Sequence, residues 1–304
     1  MKLSCLIEAQ QLDVANIFFL FAKAEELRKK QERPLQGKIL TTLFYEPSTR
    51  TRLSFESAML RLGGGVISTE NAKEFSSAIK GESLEDTARV VSKYCDIIVI
   101  RHYEEGSAKR VASVSSVPVI NAGDGAGQHP TQALLDLYTI WREIGRIEHF
   151  TIALVGDLKY GRTVRSLCYL LGKFHGIKII FVSPASLAIK EDIKDYLQRH
   201  SVGFEEETNF YKALPQADII YMTRIQKERM QEGEYEMVKN RYSITSESLA
   251  FVRTDARVLH PLPHTEEISL PLDVEEKDPR IAYFREVENG LYIRMALIAH
   301  LLEK

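Results

Sequence analysis

Two arginines and three aliphatic hydroxyls crowd into Phe-Tyr-Glu-Pro-Ser-Thr-Arg-Thr-Arg at 44–52, directly after the strand-like run Gly-Lys-Ile-Leu-Thr-Thr-Leu. Serine and threonine are good helix N-caps and proline is tolerated in the first turn, so a capped helix start explains part of the stretch. It leaves Arg50 and Arg52 unexplained. A helix N-terminus already carries partial positive charge and disfavours a cation by roughly a few tenths of a kcal/mol. Backbone N–H groups, hydroxyls and a guanidinium gathered at one helix start suit an anion.

Related chemistry recurs wherever an apolar run ends. Arg101 and His102 follow Asp-Ile-Ile-Val-Ile, and Asn-Ala-Gly-Asp-Gly-Ala-Gly-Gln-His-Pro-Thr-Gln (121–132) follows Val-Pro-Val-Ile. Further on, Gly-Asp-Leu-Lys-Tyr-Gly-Arg-Thr brings Arg162, Thr-Arg-Ile-Gln brings Arg224 and Gln226, and His-Pro-Leu-Pro-His follows Arg-Val-Leu. Open α/β sheets bind ligands at the carboxyl ends of their strands. A scaffold would carry turn residues there, whereas guanidiniums with His129 and Gln132 suit a small polyanion bearing phosphate or carboxylate. Single signals are weaker. His129 before Pro130 is as readily a plain helix-start residue, although the Gly-Ala-Gly beside it allows close approach of backbone to a ligand. Ser76 and Lys80, in Phe-Ser-Ser-Ala-Ile-Lys-Gly-Glu-Ser, read alone as surface loop. No G-x-G-x-x-G turn or P-loop occurs, so a nucleotide site is not indicated.

The elements that must position these residues alternate between short apolar strands and amphipathic helices. Strand-like runs are Lys-Ile-Leu-Thr-Thr-Leu-Phe, Gly-Val-Ile-Ser-Thr, Asp-Ile-Ile-Val-Ile and Val-Pro-Val-Ile-Asn. Helical patterns cover Leu53 to Leu62 and Leu84 to Tyr94. After a long helix from Pro130 to Gly145 the alternation restarts with Phe-Thr-Ile-Ala-Leu-Val-Gly and a helix from Val164 to Phe174, then Ile-Lys-Ile-Ile-Phe-Val-Ser, Asp-Ile-Ile-Tyr-Met-Thr and Arg-Val-Leu. Strands without polar alternation imply parallel sheets covered on both faces. The expected fold is α/β, two doubly wound parallel-sheet domains joined by interdomain helices. The first is expected over 1–131, with the closing helix 287–304 packing back on it, and the second over 132–286.

Composition limits what the anion can be. The 304 residues are 44% hydrophobic and 27% charged, with a formal net charge of −2. That balance gives no general attraction to nucleic acid or to an anionic membrane, so any basic site is local. The run Val-Ala-Asn-Ile-Phe-Phe-Leu-Phe-Ala is too short to span a bilayer. Cys5, Cys95 and Cys168 form neither a disulfide framework nor a zinc motif, so no metal site is expected and a reduced cytoplasmic home is the simplest expectation.

Read together, FYEPSTRTRLSFE, KGESLEDT, RHYEEG, NAGDGAGQHPTQALLDL, GDLKYGRTVRSL, YMTRIQKER and VLHPLP run in the same order as in the aspartate and ornithine carbamoyltransferases, which the chain resembles along nearly its whole length. The resemblance implies an enzyme without cofactor that transfers the carbamoyl group of carbamoyl phosphate to the amine of L-aspartate, an early step of pyrimidine biosynthesis. It assigns the first domain to carbamoyl phosphate and the second to aspartate. It also implies that Ser48, Thr49, Arg50 and Thr51 bind the phosphate, that Thr51, Arg101 and His129 donate to the carbamoyl oxygen, and that Gln132, Leu262 and Pro263 help hold the carbamoyl group. Arg162, Arg224 and Gln226 would take the aspartate carboxylates. Ser76 and Lys80 would enter a neighbouring subunit's site, Lys80 touching both substrates, so the implied working unit is a homotrimer with shared sites. The Leu262–Pro263 bond is cis in the family. A separate zinc-bearing regulatory chain is compatible with the resemblance. The ornithine enzymes place cysteine where Pro261 stands, which favours aspartate as acceptor. One departure is His264, where the family commonly has arginine; it bears on closure or pH dependence rather than on the reaction.

Overall fold

The computed structural model describes residues 3–30, 32–70, 72, 81–225 and 241–303, in two compact units. Ser76, Lys80 and Gln226 lie outside the described residues. One unit comprises Met1–Leu135 with Glu288–Lys304, the other Asp136–Val287.

The first unit opens with α1 (Val14–Lys29), whose N-cap Asp13 accepts from Asn16 N. There follow β1 (Ile39–Phe44), α2 (Thr49–Arg61), β2 (Gly65–Glu70), α3 (Leu84–Val91), β3 (Ile97–His102), α4 (Ser107–Val114), β4 (Val119–Asp124) and the start of α5 (Pro130–Ile144). The strands are parallel in the order β2-β1-β3-β4. β1 and β3 are buried along nearly their whole length because helices cover both sheet faces, which is why their sequences run apolar without alternation. Leu43, Ile98, Ile100, Val111 and Val119 share one core. Each such aliphatic side chain removed from water contributes about 1.5–3 kcal/mol.

The second unit carries the rest of α5, then β5 (Thr151–Val155), α6 (Arg162–Leu171), β6 (Lys178–Val182), α7 (Glu191–Arg199), β7 (Gly203–Glu207), α8 (Phe210–Ala213) and β8 (Ile219–Met222). After β9 (Ile244–Thr245), α9 (Ser246–Leu249), β10 (Arg257–Leu259), β11 (Ile268–Ser269) and α10 (Leu272–Lys277), the chain ends with α11 (Tyr283–Leu302). The main sheet is parallel in the order β10-β8-β5-β6-β7. Both units are therefore the parallel α/β sheets the alternation of elements implies. Among the described residues no helix is long and apolar enough to cross a membrane.

β7 escapes sequence reading because Gly-Phe-Glu-Glu-Glu has the composition of a loop. It is an edge strand, and its carboxylates meet Lys178, Lys194 and Lys212. Charges on an edge discourage pairing with another chain, at the cost of a hydrophobic signal. Two helices also begin earlier than their apolar periodicity suggests. α2 starts at Thr49, where the capping residues of 44–52 indicate and ahead of the apolar period at Leu53, and α6 at Arg162 rather than Val164. Both shifts place an arginine in a first helical turn.

Candidate active site

In the first unit the strand order reverses between β1 and β3, the switch point at which parallel sheets admit ligands. Ser48 follows β1 and occupies the N-cap of α2, its hydroxyl not spent on capping. Thr49 and Arg50 are exposed in the first turn, and Thr51 beside them is buried. Although Arg50 is exposed as a residue, neighbouring protein atoms partly desolvate its guanidinium and lower it from its ordinary value, yet so strong a base stays charged. Arg52 differs. Its Nη1 donates to Glu56 Oε1 at 3.3 Å and to Ser68 Oγ at 3.1 Å, so one of the two arginines that looked like anion ligands is a structural cation of α2. Among the described residues Arg50 has no carboxylate partner.

Arg101 lies on β3, beside Phe44 of β1 in the register. Its Nη2 pairs with Glu46 Oε2 at 2.8 Å and its Nη1 donates to the Ala122 carbonyl at 3.2 Å, which fixes the guanidinium with only 12% of the side chain exposed. Glu46 thus belongs to the site, although only its place inside the 44–52 motif could have pointed to it. Next to Arg101, burial holds the His102 imidazole below its ordinary pKa, and the neutral ring packs on Tyr45 and Tyr103.

His129 follows β4 and directly precedes α5, buried at 4% exposure, with Nδ1 3.3 Å from Thr131 Oγ1. Gln132, also buried, stands in the first turn. Asp124 shapes this loop. Its carboxylate accepts from Gly106 N, Gln128 N and Asn121 Nδ2 at 2.9–3.1 Å. The Gly-Ala-Gly run serves the protein's own backbone rather than a ligand: Gly125 has φ +52°, and a Cβ there would stand 2.5 Å from the Tyr103 carbonyl oxygen. The glycines therefore say nothing about a ligand, and the weight falls on His129 itself.

The second unit repeats the plan. Its strand order reverses between β5 and β8. Arg162, half-buried, is the first residue of α6 after β5, and exposed Arg224 follows β8. The two strand ends are tied by Thr223, whose N and Oγ1 both donate to the Val155 carbonyl at 2.8 Å. Gly156 at φ +113° permits this, since a Cβ would lie 2.3 Å from the Thr223 oxygen. On the far side of β8, β10 leads into His260-Pro261-Leu262-Pro263, and the Leu262–Pro263 peptide is cis. His264, in the position usually held by arginine, contacts Glu275 Oε1 through Nε2 at 3.1 Å and packs edge-on against Tyr283. Tyr283 in turn donates to the same Glu275, so His264 is anchored to the helices that follow.

Behind these loops lies a buried acid pair that the apolar look of the surrounding helices conceals. Tyr221 Oη donates to Asp136 Oδ2 at 2.8 Å, and Glu286 Oε2 accepts from His260 N at 2.9 Å. Burial, then the Asp136 charge and a hydrogen bond to it, push the Glu286 carboxyl well above the carboxylate range. Unfolded Glu286 ionises in that ordinary range while the folded residue keeps its proton. Its contribution is therefore intact at acid pH and is lost as pH rises toward the folded pKa, by at most about 1.4 kcal/mol per pH unit. Glu286→Gln, neutral at every pH and still able to donate to Asp136, removes that slope. Denaturation midpoints from about pH 5 to 8 are expected to favour the variant increasingly as pH rises; a variant that loses ground with pH contradicts a protonated Glu286.

Comparison with known proteins places this geometry. The model described as "Aspartate/ornithine carbamoyltransferase, carbamoyl-P binding domain" matches residues 5–142, and that described as "Asp/Orn binding domain" of the same enzymes matches residues 148–301. The chloroplastic aspartate carbamoyltransferase of Arabidopsis thaliana is 52% identical over 308 residues, covering 99% of this chain and 78% of the relative. The catalytic subunit of M. jannaschii aspartate transcarbamoylase superposes with a TM-score of 0.91 at 46% identity, over 99% of this chain and 98% of that one. Aspartate transcarbamoylase from Trypanosoma cruzi, solved with carbamoyl phosphate, gives 0.93 at 37% identity, over 98% and 96%. Relatives from pea and rice share the chloroplastic designation, and these names overturn the expectation of a cytoplasmic home.

Proposed function

The chain belongs to the aspartate/ornithine carbamoyltransferase family, and from that membership we infer that it is an aspartate carbamoyltransferase, a transferase that converts carbamoyl phosphate and L-aspartate to N-carbamoyl-L-aspartate and phosphate in pyrimidine biosynthesis. The observation that carries the reading is the pair of switch points, each furnished with arginines suited to one of the two anionic substrates: Arg50 and Arg101 in one unit, Arg162 and Arg224 in the other.

On this reading the first unit takes carbamoyl phosphate. Backbone N–H groups at the start of α2, with Ser48, Thr49 and Thr51, donate to phosphate oxygens, and Arg50 neutralises the dianion, which outweighs the cost of a cation at a helix N-terminus. Thr51, Arg101 and His129 donate to the carbonyl oxygen, while Gln132 and the backbone at Leu262 and Pro263 hold the carbamoyl group. The second unit takes aspartate, whose two carboxylates need two cationic clamps, Arg162 and Arg224, with Gln226 beside them. Transfer requires the amine to be held against the carbonyl carbon at near-attack distance. The deprotonated amine attacks, negative charge builds on the carbonyl oxygen, and the tetrahedral intermediate collapses. The C–O bond to phosphate breaks and the amine's proton leaves with the phosphate. These steps require no metal, nucleotide or covalent enzyme intermediate.

Lys80 and Ser76 complete the site from a neighbouring subunit in a homotrimer, Lys80 reaching both substrates. The M. jannaschii relative is named as a catalytic subunit, and that designation leaves room for a separate regulatory chain, zinc-bearing, in a larger assembly. The plant relatives support a plastid setting.

The deciding assay offers carbamoyl phosphate with aspartate or with ornithine and identifies the product by mass spectrometry. Carbamoyl aspartate is expected, with no carbamoylated ornithine; the converse product would sink the reading.

A further inference from the structure

His260 is the first residue after β10, and its side chain is 1% exposed. Its backbone N–H donates to Glu286 Oε2 at 2.9 Å. Leu262 N–H donates to Nδ1 at 2.8 Å, and Nε2 lies 2.9 Å from Glu267 Oε1. A ring nitrogen that accepts carries no proton, so Nδ1 is bare and Nε2–H donates to the carboxylate. Glu267 is itself fixed, accepting from Thr265 N at 3.1 Å and Thr265 Oγ1 at 2.8 Å. Burial pushes its carboxyl up, but the hydrogen bonds from His260, its own backbone and Thr265 prevail and leave it below the usual range. The residue at the centre of this clamp, Leu262, has φ +54°, a left-handed conformation that branched side chains seldom adopt and that persists only where the surroundings enforce it.

We propose that His260 is a positioning residue for carbamoyl transfer: anchored to Glu267 through Nε2–H, it holds the Leu262 peptide unit in the orientation that presents the Leu262 carbonyl to the carbamoyl amine. The proposal rests on the reading that Leu262 contacts carbamoyl phosphate. The imidazole acts through Leu262, so loss of its Nδ1 acceptor lets the peptide unit rotate without removing any group that touches a substrate.

Two amides separate the two bonds. Asparagine at 260 sets Oδ1 near the place of Nδ1 and keeps an acceptor for Leu262 N–H, while glutamine extends to Glu267 and leaves Leu262 N–H unserved. With carbamoyl phosphate and aspartate, His260→Asn is expected to keep kcat within about threefold of wild type, and His260→Gln to lose about 10- to 100-fold in kcat, with KM for aspartate within about twofold in both. Matching thermal midpoints exclude folding as the cause of the split. Equal loss in the two folded variants, or wild-type kcat in His260→Gln, overturns the proposal. If either variant does not fold, 15N-histidine NMR of the wild-type protein decides. An Nε2–H tautomer is expected, with an Nδ1 resonance that moves on addition of N-(phosphonacetyl)-L-aspartate; an Nδ1–H tautomer or an unmoved resonance overturns it. A wild-type protein that forms no carbamoyl aspartate overturns the substrate reading and this proposal with it, and is distinguished from the other failures because those occur at full wild-type activity.

Discussion

His129→Ala is expected to lower kcat by about 10²- to 10³-fold while carbamoyl phosphate binds nearly as before. Attack on the carbamoyl carbon moves negative charge onto the carbonyl oxygen, and a donor aimed at that oxygen is worth more in the transition state than in the ground state. His129 is suited to this because it is almost wholly buried, where a hydrogen bond to a developing charge is strong. When the Thr131 hydroxyl at 3.3 Å donates to Nδ1, Nε2 is the nitrogen that carries the proton an oxyanion needs. Steady-state kinetics with both substrates, alongside calorimetry of carbamoyl phosphate, separates the two effects. An unchanged kcat would reduce His129 to a helix-start residue.

The second large effect is a recovery rather than a loss. Arg50→Ala and Lys80→Ala are each expected to be inactive, since both residues are assigned to the reacting phosphate dianion. Dissociating and mixing the two inactive proteins should restore part of the activity, because a hybrid oligomer can join an intact Arg50 of one chain with an intact Lys80 of its neighbour. Sites built within one chain never regain both residues by mixing. Hybrids confirmed by native mass spectrometry that stay as dead as their parents would refute the shared site.

The two arginines of the 44–52 stretch show where local reading stops. Both have the charge and the place for an anion, yet Arg52 is engaged by Glu56 one helical turn on and by Ser68 at the neighbouring strand, while Arg50 has no acidic partner among the described residues. An i, i+4 partner such as Glu56 could have been weighed from spacing. The carboxylates that hold the other site residues could not. Glu46 meets Arg101, Asp124 organises the loop before His129, and Glu286 sits under His260, each across a turn or an element boundary. Periodicity also placed β1, β3, β5 and β8 well, because fully buried parallel strands are continuous apolar runs, and missed β7, whose edge position allows three consecutive glutamates.

That this is a parallel α/β protein with arginines, a histidine and amides at the carboxyl ends of its strands follows from residue order alone. Those properties are local: apolar period, turn residues and motif spacing depend on neighbours within a few positions. That β1 lies beside β3 and β5 beside β8, the pairings that bring Arg50 and Arg101 to one switch point and Arg162 and Arg224 to the other, is a property of the folded chain. Strand order is set by the total burial and hydrogen bonding of segments far apart in the chain, a sum that no window of sequence contains. The same holds for the charges. A guanidinium at a helix start becomes a ligand or a structural cation according to which carboxylate the fold brings within about 3 Å of it, and that distance is a property of packing rather than of spacing.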